Sequence, residues 1–253
     1  MEIYRGKLEL LDYLFFATTE RGKVYETGTF IHNYALAYAL KLATSPYSQS
    51  IQRPEYERDL TPLNELGIYV TPAHPITLSY RLTQWNTIQE SYGFGKKRRD
   101  IGYPDWGFAR VLKPESVFEF YTLIADMESA IQFPTLENLI AGRTTYIRLG
   151  KFHSKARIRF TKAQKVDARQ GEFSAGIVDD RGRSAIDKGQ SPLLLNWRDT
   201  PENPLVCDTY PTSLPTRLIA NPKYENGRYY FVEFGEKDQV KLPLEMQFVA
   251  RPI

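Results

Sequence analysis

Three histidines (His32, His74, His153) and one cysteine (Cys207) make up the whole supply of soft or near-neutral titrating groups in 253 residues. They are too few and too badly spaced for a zinc-type ligand set, so neither a metal nor a cofactor is expected. The Walker pattern also fails, because Gly150-Lys151 is followed by Phe152 and lacks the earlier glycine. General acid–base chemistry is what such residues can still do. RNA is cleaved without metal when one group takes the 2′-hydroxyl proton and another protonates the leaving oxygen. His32, near the start of an apolar helical segment, and His153, inside a basic stretch, are the candidates. No spacing rule pairs them, and a lone histidine is more often packed or solvated. Metal-independent endoribonuclease activity is therefore the alternative reading, and the expectation is a chain with no catalytic residues.

Charge gives the stronger signal. The formal charge is only +3, yet Arg143 to Val166 holds Arg143, Arg148, Lys151, Lys155, Arg157, Arg159, Lys162 and Lys165 with no Asp or Glu among them. Lys96, Lys97, Arg98 and Arg99 form a second run, interleaved with Tyr92, Phe94, Tyr103, Trp106 and Phe108, which can stack on bases. The rest of the chain is acidic, so the pattern points to a localised polyanion surface, with nucleic acid the first candidate and a solvated face the plain alternative.

Strand alternation sorts the longer cluster. It sends Tyr146 and Arg148 to one side and Ile147 and Leu149 to the other; in the next strand Lys155, Arg157 and Arg159 share a face opposite Ile158 and Phe160. Gly150 between the strands permits close backbone approach, and the amides after it, with Lys151 and Ser154, are candidate phosphate ligands. These residues, together with Arg143 and the Lys96–Arg99 run, are the candidate RNA contacts.

The elements that must position them read as follows. Tyr4 to Leu10 alternates as a half-buried strand. Thr27 or Thr29 caps a buried helix through Tyr34–Leu40 to about Leu42, stopped by Ser45-Pro46. Tyr47 to Leu66 reads as loop, and Gly67 to Val70 opens a strand. Residues 81–113 have no steady period and read as a long projecting loop or irregular hairpin. Val117–Ile124 is a strand, Thr135 caps a short helix ending at Gly142, and strands follow at Thr145–Leu149 and Lys155–Phe160. The sequence of elements is the βαββαβ pattern of an α+β, ferredoxin-like (RRM-type) fold. Beyond residue 160 the chain reads as mostly β, with a hairpin signal at Asn226-Gly227. The domain expectation is 1–160 with a thumb-like insertion at about 81–113, and a β-rich 161–253 packed on it.

Three segments carry a resemblance: Leu8-Glu-Leu-Leu-Asp-Tyr-Leu-Phe-Phe16; Tyr25-Glu-Thr27 leading into Asn33-Tyr-Ala-Leu-Ala-Tyr-Ala-Leu40; and Ile147-Arg-Leu-Gly-Lys-Phe-His-Ser-Lys-Ala-Arg157. Together they resemble the handle-binding subunit of the type I-D CRISPR Cascade, in the RAMP superfamily and the fifth Cas family. The resemblance implies a modified ferredoxin-like RAMP domain with a projecting thumb, and a place at the 5′ handle of the CRISPR RNA. It also implies contacts with the filament-forming backbone subunit and the large subunit of an antiviral ribonucleoprotein. Precursor cutting is expected from a separate RAMP endonuclease; target DNA is carried as a further candidate partner, and a free-standing RNA-binding module as a second alternative.

Composition narrows the rest. At 42% apolar and 25% charged the chain can bury a core and is not disordered. Its longest apolar stretch, Tyr34–Leu40, falls short of the roughly 20 residues of a membrane span. A lone cysteine and an N-terminus without signal-peptide character fit a cytoplasmic protein.

Overall fold

In β1 (Glu2–Leu10), Tyr4, Leu8 and Leu10 are buried while Lys7 is exposed, the period-two pattern of its sequence. Glycine is needed at position 6, where a Cβ would stand 2.5 Å from the Phe120 ring. β1 is the middle strand of a sheet ordered β4 (Ile68–Val70), β8 (Val117–Ile124), β1, β10 (Ser154–Lys162), β9 (Thr145–Leu149), every pairing antiparallel; β5 (His74–Thr77) also pairs with β8. Helices α1 (Asn33–Ala39) and α2 (Tyr56–Glu65) lie between β1 and β4 in the chain, and α3 (Met127–Ala130) and α4 (Pro134–Ile140) between β8 and β9. The structure, a computed structural model, describes residues 1–44, 55–87, 105–178, 192–200, 203–210 and 218–251.

A second sheet runs β2 (Thr19–Arg21), β3 (Val24–Glu26), β7 (Asp105–Leu112), β6 (Tyr80–Thr87). The third joins β11 (Lys165–Ser174), β15 (Leu218–Gly235), β16 (Asp238–Pro243) and β12 (Gly176–Val178), with β13 (Leu194–Asn196) and β14 (Val206–Tyr210) also on β15. The architecture is thus mixed α+β and strand-rich. Among the described residues no helix is long and apolar enough to cross a membrane.

Several local expectations are corrected. The cap of α1 is His32, whose Nδ1 accepts the Tyr34 N–H at 3.2 Å, rather than Thr27 or Thr29. The helix ends where Lys41 turns to φ +57°. The stretch expected to be a loop before Gly67 contains α2, in which Leu60 and Leu63 are buried despite Pro62. Residues 81–113 are not irregular at their base: β6 and β7 pair from Tyr80–Leu112 to Thr87–Asp105, and β3 adds in parallel. α4 starts with Pro134 at its first turn and is capped at Phe133, not Thr135. No hairpin forms at Asn226-Gly227: β15 continues through it with Gly227 opposite Gly171, and the extra residue is taken up as a bulge before the Phe173–Tyr224 pair.

One hydrophobic cluster takes side chains from both ends of the chain, including Leu8, Leu36, Phe118, Phe120, Val232 and Phe248. Beside it lies a buried polar hub. Asp199 Oδ1 accepts from the Tyr34 hydroxyl (2.8 Å) and the Val249 N–H (3.0 Å), and Oδ2 from Asn33 Nδ2 (2.6 Å) and the Tyr69 hydroxyl (3.1 Å). One carboxylate thereby joins α1, β4 and the C-terminal segment. Arg198 next to it reaches Glu57 of α2 (2.7 Å) and the Arg251 carbonyl (2.6 Å).

Candidate nucleic-acid interface

The outward face of the first sheet is half covered. At the Arg5 end, Arg5 pairs with Asp238 (2.6 Å) and lies 4.5 Å over the Phe234 ring, while Tyr121 packs 5.9 Å from that ring. At the β9–β10 end the face is open. Tyr146 and Arg148 are exposed and alternate with buried Thr145, Ile147 and Leu149; Lys155 and Arg159 are exposed and alternate with buried Ala156 and Ile158. This is the cationic face expected from the sequence.

Pairing adds what alternation does not show. The register sets Lys155 opposite Arg148, Arg157 opposite Tyr146 and Glu9, and Arg159 opposite Lys7. Glu9 binds Arg157 at 2.6 Å, Glu2 binds Lys162 at 2.6 Å, Asp167 binds Lys165 at 2.8 Å and Glu137 binds Arg143 at 3.2 Å. Acids from β1, α4 and β11 therefore answer half of the cluster, although none lies inside it in sequence. Arg148, Lys151, Lys155 and Arg159 make no salt bridge with a described residue. Lys155 sits 4.9 Å over the Tyr146 ring, and Arg148 donates to the His153 carbonyl at 3.0 Å. Like charges set directly across a ladder cost stability. Two such pairs on one open face, with Glu9 committed to Arg157 between them and Glu119 on the far side of Lys7, make a surface whose self-repulsion a polyanion would relieve.

A cleft of about 580 Å³ borders this face, its lining including Tyr146, Arg148 and Lys155 together with Tyr38, Lys41 and Asn138.

Two candidate contacts change role. Gly150 (φ +71°) allows a close approach, but the approaching group is this chain's own: a Cβ there would stand 2.6 Å from the Phe15 carbonyl oxygen and 2.7 Å from Leu14 Cδ1. Lys151 N–H donates to that same carbonyl at 3.0 Å, and buried Ser154 donates its hydroxyl to the Tyr13 carbonyl. The turn's polar groups thus hold the hairpin against Tyr13–Phe15, so Ser154 and the Lys151 amide are already occupied. Gly150→Val should accordingly unfold the protein more easily rather than merely weaken RNA binding. Positive φ and overpacking together predict a loss of about 2–4 kcal/mol, read as a lower midpoint in thermal or urea unfolding. An unchanged midpoint would contradict this packing.

The Lys96, Lys97, Arg98 and Arg99 run lies outside the described residues, as do Tyr92, Phe94 and Tyr103. Sequence reasoning passed over Phe152, which is 66% exposed, and Lys7, whose outward direction was legible but whose place beside Arg159 was not.

The histidines differ in setting. His32 is buried, its Nδ1 occupied by the cap, and burial pushes its pKa down to about 3. His74 is buried too and pushed down to about 4. His153 is exposed in the β9–β10 turn with φ +52°.

Residues 1–251 match the model of the family described as Type I-D CRISPR-associated protein Cas5/Csc1. Among solved structures the chain is similar to one in a cryo-EM structure of the Type III-B Cmr-beta bound to cognate target RNA and AMPPnP. That pair shares 12% identity over 94% of this chain and 86% of the other, with a TM-score of 0.39. A CRISPR protein from Archaeoglobus fulgidus shares 11% identity over 96% of this chain and 100% of its own, with a TM-score of 0.35. No curated protein matches.

Proposed function

The chain belongs to the Type I-D CRISPR-associated Cas5/Csc1 family, and from that premise we propose that it is a non-catalytic RNA-binding and assembly subunit of a cytoplasmic Cascade-type effector complex, capping the 5′ handle of the guide RNA. The observation that carries this reading is the open β9–β10 face, where Arg148 stands across from Lys155 and Arg159 from Lys7 without a full set of acids. Phosphates supply the missing negative charge and release counterions on binding. In this reading the order β4-β8-β1-β10, with helices in each crossover, is the ferredoxin-like split βαβ layer of a RAMP domain, and β9 is an added edge strand. β6 and β7 form the base of the thumb, and the Lys96–Arg99 run that follows β6 in the sequence serves contact with the backbone or large subunit.

The non-catalytic half rests on the histidines. A general acid must be reachable and protonated near neutral pH. His32 is sealed in the fold and neutral there. His153 is exposed, and neither β9 nor β10 carries another histidine.

Purified protein incubated with precursor repeat RNA in EDTA is expected to retain the RNA intact, and the protein expressed with its neighbours is expected to copurify with guide RNA. Cleavage at the repeat boundary that disappears in His153→Ala would overturn the non-catalytic reading. Copurification with the other subunits but without RNA would overturn the RNA-capping one.

A further inference from the structure

The β9–β10 turn presents an aromatic ring that the proposed function leaves unused. Phe152 is 66% exposed, an unusual setting for phenylalanine at the tip of a tight turn. Its ring is stacked on Phe15, with centroids 5.3 Å apart and planes 21° from parallel. Phe15 itself is 8% exposed. One face of Phe152 is therefore committed to the body of the protein, and most of the side chain remains toward solvent.

The turn is held in place by short-range geometry. Gly150 and His153 both have positive φ (+71° and +52°). His153 N–H donates to the Gly150 carbonyl at 3.2 Å, and Lys151 N–H to the Phe15 carbonyl at 3.0 Å. The Ser154 hydroxyl binds the Tyr13 carbonyl. A ring fixed in this way loses little further freedom when something stacks on it.

Its surroundings are cationic. Lys151 precedes it, and the Arg148 side chain is bonded into the same turn through the His153 carbonyl. A protein-docking patch would be contiguous and apolar. An exposed aromatic face beside Arg148 and Lys151, which make no salt bridge with a described residue, is instead the pattern of single-stranded nucleic-acid binding, in which bases stack while phosphates are neutralised nearby.

We propose that the exposed face of Phe152 is a stacking platform for an unpaired base of single-stranded RNA, extending the Phe15–Phe152 stack by one ring. This rests on the RNA-binding reading above and adds a specific contact to it. The platform is sequence-tolerant, because every base offers a π face, and it is distinct from the phosphate contacts of Arg148, Lys151 and Lys155.

The test compares binding of labelled oligoadenylate with binding of the abasic ribose–phosphate chain of equal length, at two salt concentrations. Phe152→Ala is expected to weaken oligoadenylate binding by about tenfold, the scale of one base–aromatic stack, with the salt slope unchanged. Binding of the abasic chain should not change. Phe152→Trp should bind at least as well as wild type. Phe152→Leu keeps an apolar cover on Phe15 but has no aromatic face, so it should behave like the Ala variant. Equal binding of oligoadenylate by wild type and Phe152→Ala, or wild-type affinity in Phe152→Leu, would overturn the platform while leaving RNA binding standing. Failure of the wild-type protein to bind either chain would overturn both readings.

Discussion

Asp199→Ala is expected to cost the fold about 4 kcal/mol or more, among the largest losses a single substitution here can cause. Truncation leaves the Tyr34 and Tyr69 hydroxyls, the Asn33 amide and the Val249 N–H without their shared acceptor inside the protein. Each buried donor so orphaned costs on the order of 1–3 kcal/mol, less what relaxation recovers. Asp199→Asn keeps one acceptor oxygen and the shape, and should cost less. The same carboxylate gives a pH signature. Burial raises its pKa from 3.8 to about 6, against the opposing pull of the four hydrogen bonds. A folded-state pKa above the unfolded value means that the native protein holds this proton more tightly. The associated stability is full below about pH 4 and is lost as pH rises through about 6. Urea unfolding across that window should show wild type losing stability relative to Asp199→Asn as pH increases. Parallel pH profiles for the two proteins would contradict the buried, charged hub.

That hub was invisible in the sequence. Asn33, Tyr34, Tyr69, Asp199 and Val249 come from four separate stretches, and no periodicity links a carboxylate to donors brought to it by tertiary packing. Period-two alternation, by contrast, is local, and it made β1, β9 and β10 readable together with the direction of Arg5, Lys7, Arg148, Lys155, Arg157 and Arg159. α2 was obscured because Pro62 and its charged residues resemble a loop; burial of Leu60 and Leu63 outweighs that propensity. At Asn226-Gly227 a strong turn signal yields a bulge in the β11–β15 ladder instead of a hairpin. Tyr229 to Glu233 bonds to β11 and β16 at once, and the chain turns only between Gly235 and Asp238. The cationic face itself was legible, but its compensation was not: Glu9 reaches Arg157 only because β1 lies beside β10. Gly150 and Ser154 were drawn toward RNA for a related reason, since the Tyr13–Phe15 segment that occupies them is distant in sequence.

The second large effect concerns function. Arg148, Lys151, Lys155 and Arg159 are the cations of the cluster that no described acid neutralises, and they lie on adjoining strands and the turn between them. Replacing all four by Ala should weaken single-stranded RNA binding by about a hundredfold or more at low salt. Stability should move little, or even rise, because the Arg148–Lys155 opposition is removed and exposed substitutions are otherwise nearly neutral. Weakened binding with a retained or raised unfolding midpoint is a combination that a purely structural role for these residues does not produce.

The most direct test of the cationic face as the RNA surface is the slope of log affinity against log salt for repeat-derived single-stranded RNA, measured on wild type and on this fourfold variant, with unfolding followed in parallel. Removing one cation from a phosphate should flatten the slope by about 0.7, so the variant's slope should be shallower by up to about 3 in a protein that unfolds no earlier than wild type. An unchanged slope in a folded variant would contradict the account and place the RNA elsewhere on the protein.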